Sequence, residues 1–302
     1  MKSKIGLFWR EYLPDISLFL STVVWGLSFT IMKAILGEQI SPYLFVFLRF
    51  SISAVLLFPF CKKGIRSIGK DGVAYGFFLG FLIFAGFITQ AVGITYTTAS
   101  KSAFITGLSS VFVPFFLLFH RRKLPEPVVI GAIMLAIFGM YLLTGPAGGI
   151  LNFGDFLTLL CAISFAAQIY LMGIAASKYQ ALALTFIELA TTAIVAGIAL
   201  FFVPVHFAIT WKSVAALLFM TIPGTAVALS VQTWAQKRTS AVRAGLIFSA
   251  EPVFAYMFAS ALLAERFNFV QKIGGAVIIL ALVLSEMVPL VVGRLRRNAG
   301  ES

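Results

Sequence analysis

Three ionisable residues stand inside long apolar runs of this sequence: Arg49, Glu188 and Glu251. A charge at the centre of a membrane helix costs roughly 2.5 to 3.5 kcal/mol on insertion scales, so such groups persist where a partner, a water-filled cavity or a solute receives them. Glu251 is the deepest carboxylate and is followed by Pro252, whose missing N–H frees a backbone carbonyl and bends the segment. Arg49 and Glu188 fall toward the starts of their runs, on opposite sides of the membrane, and are not expected to pair with each other; with Glu251 they are read as gating or coupling residues. The competing structural reading has Arg49 snorkelling to the outer interface or capping neighbouring backbone carbonyls as a structural tie, Glu188 as a carboxylate near the cytoplasmic interface and Glu251 as a satisfied group at a kink.

The residues able to hold an amphipathic solute are Trp25 and Ser28, their counterparts Phe165 and Gln168, then Tyr170, Gln90, Gln232 and Trp234. An aromatic ring with a polar edge offers stacking and a hydrogen bond, and an amide can meet either a carboxylate or an amine. Trp25, Gln168, Tyr170, Gln232 and Trp234 are expected to line one central cavity. The plainer alternative is that these groups only join helices. The 32 phenylalanines are read as mostly lipid-facing filler.

The elements that must position these side chains follow from composition. With 60% hydrophobic and 11% charged residues and a mean hydropathy of +1.01, the chain cannot be a soluble globule, whose charged fraction is roughly 25%. Runs of about 20 apolar residues, enough to cross a bilayer core, recur near 16–36, 42–61, 72–94, 100–119, 127–144, 154–174, 182–203, 212–234, 243–263 and 270–292. They must be helices, because hydrocarbon satisfies no exposed backbone group and they lack the alternation of barrel strands. The connectors Thr95-Tyr96-Thr97-Thr98-Ala99 and Glu265-Arg266-Phe267-Asn268-Phe269 are short enough to predict tight antiparallel hairpins. Glycines at Gly76, Gly80, Gly131, Gly139 and Gly274-Gly275 predict close helix contacts.

The net charge of +12 sorts by membrane side, which argues against nucleic acid as a partner. With the N-terminus inside, Lys62, Lys63, Arg66, Lys70, Arg121, Arg122, Lys123, Lys237, Arg238 and the basic C-terminal tail all fall on the cytoplasmic side, whereas the outer loops hold Lys101, Lys212, Arg266 and Lys272. The positive-inside rule then places both termini in the cytoplasm of a plasma-membrane protein. The N-terminal stretch is not read as a signal peptide, since no small-residue cleavage site follows its long apolar run. Cys61 and Cys161 are not expected to form a disulfide.

The two halves match. Asp15 and Trp25 fall against Asp155 and Phe165 at an offset of 140, and Phe47-Leu48-Arg49 against Phe186-Ile187-Glu188 at 139. Gln90, Thr97, Ala99, Lys101 and Ile105 fall against Gln232, Thr239, Ala241, Arg243 and Ile247 at 142. Five spans per half make the second enter the membrane with opposite orientation, an inverted repeat with its site near the midplane between the halves. The expected organisation is a cytoplasmic tail over 1–15, one repeat over 16–144, a connecting loop over 145–153, the second repeat over 154–292 and a cytoplasmic basic tail over 293–302. Pro114 and Pro252 predict kinked helices in both repeats.

Trp25-Gly26-Leu27-Ser28-Phe29 with Lys33, then Arg49, Thr97-Thr98-Ala99-Ser100 before Ala103-Phe104, Glu251-Pro252-Val253-Phe254-Ala255, Glu265 and Gly274-Gly275 follow one another in an order that resembles the drug/metabolite transporter superfamily, in its ten-helix EamA-type branch. The resemblance covers nearly the whole chain and implies an all-α membrane protein of ten transmembrane helices, two inverted five-helix repeats around a central cavity, and export or exchange of small metabolites such as amino acids. Arg122-Lys123 departs from it, standing where many relatives carry an acidic residue.

The expected function is secondary transport of a small polar or amphipathic metabolite, an amino acid or related compound, by alternating access across the lipid bilayer, with a proton or a counter-substrate as the candidate driving partner. Exchange of a nucleotide-derived metabolite such as S-adenosylmethionine is the alternative within transport. A membrane-embedded lipid-modifying enzyme is the alternative from another class, and it lacks a catalytic cluster: His120 and His206 fall on opposite sides, with no metal-ligand or nucleophile-base spacing. Gly145-Pro146-Ala147-Gly148-Gly149 is not a phosphate cradle, because no Lys-Ser/Thr follows. No cofactor or metal is expected.

Overall fold

The computed structural model describes residues 2–121, 127–144, 152–239 and 241–298. The loops at Arg122-Lys123 and Gly145–Gly149 lie outside them. Among the described residues everything but short connectors is helical: α1 (Lys2–Ile35), α2 (Pro42–Ser67), α3 (Gly69–Tyr96), α4 (Ala99–Gly107), α5 (Ser109–Arg121), α6 (Pro127–Thr144), α7 (Phe153–Lys178), α8 (Ala181–Ala199), α9 (Trp211–Thr221), α10 (Ala228–Gln236), α11 (Ala241–Phe248), α12 (Glu251–Leu262) and α13 (Phe269–Asn298). Eight helical stretches of 18 to 28 residues are apolar enough to cross a bilayer, and at 1.5 Å per residue they reach about 27 to 42 Å. Two shorter apolar stretches, Ile130–Gly139 within α6 and Phe269–Ala281 within α13, occupy the remaining two expected spans. The fold is therefore an all-α bundle of membrane-crossing helices. Helix extends beyond the expected tail boundaries, from Lys2 at one end and to Asn298 at the other.

Three of the spans are broken. The fourth is α4 plus α5, interrupted at Leu108, and the ninth is α11 plus α12, interrupted at Ser249 and Ala250. The interruption falls six residues before Pro114, which itself lies inside α5. The eighth span carries an unexpected π-helical turn over Ile222–Val227 between α9 and α10. Pro223 and Gly224 cause it, the first by removing a donor and the second by being a poor helix former.

The expected tight hairpins do not form. The two connectors are short, but α3 lies against α7 and α8, while α4 packs on α12 and α7, and α13 packs on α6 rather than on α12. Likewise α2 packs on α8 and α1 on α12, so the principal neighbour of most helices belongs to the other half of the chain. Where lipid gives no hydrophobic drive, close backbone approach supplies the attraction, and Gly80 is the plainest case. A Cβ there would stand 2.5 Å from the Thr191 Cβ and 2.6 Å from the Glu188 carbonyl oxygen, and the Gly80 carbonyl accepts from Thr192 Oγ1 at 2.9 Å. Gly139 similarly meets the Gly274 carbonyl, whereas Gly131 faces open space and makes no close contact, contrary to expectation.

Two ion pairs join the halves at residues the repeat relates. Asp155 on α7 meets Lys101 on α4 at 3.6 Å and accepts from Thr97 Oγ1 at 2.7 Å, and Asp15 on α1 pairs with Arg243 on α11. Glu265 ties the loop before α13 to the first turn of α4, accepting from Ala99 N at 2.8 Å, Ser100 N at 3.0 Å and Ser100 Oγ at 2.5 Å. A carboxylate there meets unsatisfied N–H groups at the positive end of a helix. Cys61 and Cys161 are free and buried. Side chains such as Phe60, Phe77, Phe201 and Phe202 cover the outside.

Candidate functional site

Where the breaks of spans 4, 8 and 9 come together, the helices line a partly open cavity. Eight of the eleven residues singled out from the sequence face it: Trp25, Ser28, Arg49, Gln90, Phe165, Gln168, Gln232 and Glu251. The wall is completed by Phe29, Met32, Ile83, Phe87, Thr106, Ser109, Ile169, Leu229 and Phe248. Most of these positions are repeat partners. The offset of 140 relates Trp25 to Phe165, Ser28 to Gln168 and Phe29 to Ile169, and that of 142 relates Phe87 to Leu229, Gln90 to Gln232, Thr106 to Phe248 and Ser109 to Glu251. The cavity is therefore lined by matching positions of the two halves.

Tyr170 and Trp234 are not part of the wall. Each stands two residues from a lining glutamine, and two residues are about 200° of helix rotation, which turns them to the opposite face. Tyr170 is buried with its ring stacked on Phe116, and Trp234 lies under the Arg238 guanidinium at 4.5 Å while its carbonyl accepts from Arg238 Nη1. Glu188 stands one layer behind the wall. It is 0% exposed and accepts from Gln168 Nε2 at 2.7 Å, so it is not the interfacial carboxylate of the structural reading. Its other oxygen, Oε2, has no partner among the described residues. Gln232 Nε2 in turn donates to Gln168 Oε1 at 3.1 Å and to Gln236 Oε1 at 3.2 Å, and Gln236 Nε2 donates to the Ile169 carbonyl at 3.1 Å. A chain of amides thus links one side of the cavity to the Glu188 carboxyl.

Arg49 does not snorkel. It is 1% exposed, its Nε donates to Thr225 Oγ1 and its Nη2 to the Gly224 carbonyl at 3.0 Å. That carbonyl is in the π-helical turn and also accepts from Trp25 Nε1 at 3.0 Å. Ser53 Oγ, one turn along α2, donates to the Thr221 carbonyl at 2.9 Å and fixes α2 to the same break. The Phe87 ring faces the guanidinium at 4.4 Å, and Phe50 and Phe45 stand at 5.7 and 5.9 Å. Arg49 and Glu188 form no ion pair with each other.

Glu251 is the first residue of α12, at the positive end of that helix's dipole, and lines the cavity without a hydrogen bond or ion pair among the described residues. The ring of Trp25 packs against Phe248 at 5.3 Å and that of Phe87 against Phe165 at 5.0 Å, giving the cavity aromatic walls. Phenylalanine is thus not only filler: Phe29, Phe87, Phe165 and Phe248 all face inward. Thr106, Ser109 and the Gly224–Thr225 acceptors were missed from sequence, although the offset of 142 leads from Glu251 directly to Ser109 and a Pro-Gly pair inside an apolar span marks freed carbonyls.

A chain of two matching helical halves has counterparts among known proteins. The profile of the EamA-like transporter family matches residues 13–145 and again 152–287. An uncharacterized transporter of Archaeoglobus fulgidus is 32% identical over 275 residues, covering 91% of this chain and 86% of that protein. An uncharacterized transporter of Clostridium kluyveri is 25% identical, with 81% of this chain and 83% of that one covered, and the uncharacterized transporter YetK of Bacillus subtilis is 28% identical, with 87% and 84% covered. A crystal structure superposes with a TM-score of 0.64 at 16% identity, covering 92% of this chain and 96% of its own, and speaks to the fold alone. Two profile matches in tandem, one on each half, account for the pairing of Gln90 with Gln232 and of Ser109 with Glu251: the chain belongs to the EamA-like transporter family.

Proposed function

We propose that this transporter moves a small amphipathic metabolite of the amino-acid class through the central cavity by alternating access, as an exporter or exchanger in the plasma membrane. One observation carries the proposal: the cavity is lined by matching positions of the two halves and combines aromatic walls with a buried cation, Arg49, and a carboxyl with no partner among the described residues, Glu251. A solute with an apolar body and opposite charges at its head matches that lining. Both termini face the cytoplasm by the distribution of basic residues, and the second half is inverted with respect to the first. Asp155–Lys101 then lies toward the outer side and Asp15–Arg243 toward the inner side, two contacts that break and re-form as the halves rock. The amide chain through Gln232 and Gln168 connects the wall to a second carboxyl behind it, Glu188, for coupling to a proton.

The test is uptake and counterflow in proteoliposomes over a panel of amino acids, nucleosides and nucleotide-derived metabolites. Saturable movement of amino acids, accelerated by the same solute on the opposite side for an exchanger, is the expected result. Movement of S-adenosylmethionine alone would replace the amino-acid reading. Flux equal to that of protein-free liposomes across the whole panel would overturn the proposal.

A further inference from the structure

We propose that Arg49 is the anion-recognition residue of the cavity and that its ligand is the carboxylate of the transported solute. This deepens the reading of the cavity as the transport site and rests on it. A guanidinium has five N–H donors in a planar fork, and the protein uses only part of that fork here. Nε meets Thr225 Oγ1 and Nη2 meets the Gly224 carbonyl, whereas Nη1 is buried without a partner among the described residues. No carboxylate lies within ion-pairing distance of Arg49 among those residues, so its charge is balanced by two neutral oxygens and the Phe87 ring face. An uncompensated buried cation with unused donors is costly, and an incoming anion relieves that cost.

The lining selects which anion. A carboxylate is planar, singly charged and matched to the guanidinium edge in bidentate fashion. A phosphate brings a second charge and a third oxygen into a cavity that offers one buried guanidinium, faces Glu251 and is otherwise mainly apolar. The Gly224 carbonyl, shared between Arg49 and Trp25, holds the fork in place through backbone freed by the π-helical turn. Rearrangement of that turn between the two states of the transporter would swing the fork and release the carboxylate, which makes Arg49 a point where binding and conformation meet.

The experiment uses matched pairs that share a carbon skeleton and differ in the head group: 3-phenylpropionate against 3-phenylpropylamine, and hexanoate against hexylamine, with inorganic phosphate as a further arm. Binding to the purified full-length protein is read by tryptophan fluorescence and by the shift in thermal unfolding. The acids are expected to bind at least tenfold more tightly than their amines in the unaltered protein. Arg49→Lys is expected to weaken acid binding while keeping part of the preference, and Arg49→Gln to bring the acid-to-amine ratio to about one. The ratio in the unaltered protein decides the matter even where a variant fails to fold. Acids that do not bind, amines that bind equally well, phosphate that outcompetes the acids, or a folded Arg49→Gln protein that keeps the preference would each overturn the inference. Because the readout is binding, its failure leaves the uptake result standing, and a protein that binds acids selectively yet moves nothing would remove the transport reading instead.

Discussion

Glu251→Gln separates a transport role from a folding role, because the structure assigns the carboxyl almost no structural work. Glu251 makes no hydrogen bond or ion pair among the described residues, so the substitution forfeits none, and glutamine keeps the volume and hydrogen-bonding capacity of the side chain. The loss of a favourable helix-dipole term at the first turn of α12, roughly 0.3 to 1 kcal/mol, is offset by removing a charge that costs about 2.5 to 3.5 kcal/mol to keep in a span. Stability is therefore expected to stay within ~1 kcal/mol of the parent or to rise. Transport is expected to fall. A charge-assisted hydrogen bond to a substrate ammonium contributes roughly 1.5 to 3 kcal/mol, which corresponds to a loss of about 10- to 150-fold in flux at subsaturating solute. If the carboxyl also exchanges a proton between states, the residual flux loses its pH dependence. Both quantities are measured on one preparation, melting in detergent and initial uptake rate per folded molecule in proteoliposomes. Unchanged flux per folded molecule at every pH, with or without a fall in melting temperature, would refute the reasoning.

The two ion pairs are expected to differ in weight despite their repeat relation. Asp155 is 1% exposed and also accepts from Thr97, so Asp155→Ala should cost about 3 kcal/mol in detergent unfolding, whereas the side chains of Asp15 and Arg243 are 19% and 43% exposed and Asp15→Ala should cost less than ~1 kcal/mol; equal losses would contradict this. Gly80→Ala places a Cβ against Thr191 and the Glu188 carbonyl and is expected to destabilise by roughly 1 to 3 kcal/mol, while Gly131→Ala meets nothing and is expected to be neutral or to stabilise by up to ~1 kcal/mol through helix propensity, as thermal unfolding of the two variants will show. For orientation, a cysteine at exposed Lys63 should resist an impermeant thiol reagent in intact cells and one at exposed Lys212 should react; labelling at Lys63 would reverse the topology.

What the sequence reveals about the site, and what it hides, has a single geometric cause. Apolar runs and charge asymmetry depend only on composition along the chain, so the spans and the fold class are legible from them. The offsets of 140 and 142 depend on residue identity, and they relate Asp155–Lys101 to Asp15–Arg243 before any contact is known. Which residues face inward depends instead on rotation about each helix. Gln168 and Gln232 sit on the lining face, and Tyr170 and Trp234, two positions on, are turned away by the helical period, a correction the sequence itself permits. Arg49 is harder. A long basic side chain two turns into its span can either snorkel or cap backbone carbonyls, and what decides for capping is a carbonyl on another span, freed by a π-helical turn that no periodicity announces. The same holds for the failed hairpins: short connectors limit how far apart two helix ends lie but not which faces meet, and here the faces of α3 and α13 are claimed by α7 and α6. Because the principal partner of most helices lies in the opposite half, neither half closes the cavity alone, and a relative movement of the halves must reshape every wall of it at once. That coupling of pocket shape to the arrangement of the two repeats is what an alternating-access site requires, and it follows from the exchanged packing and not from any one residue.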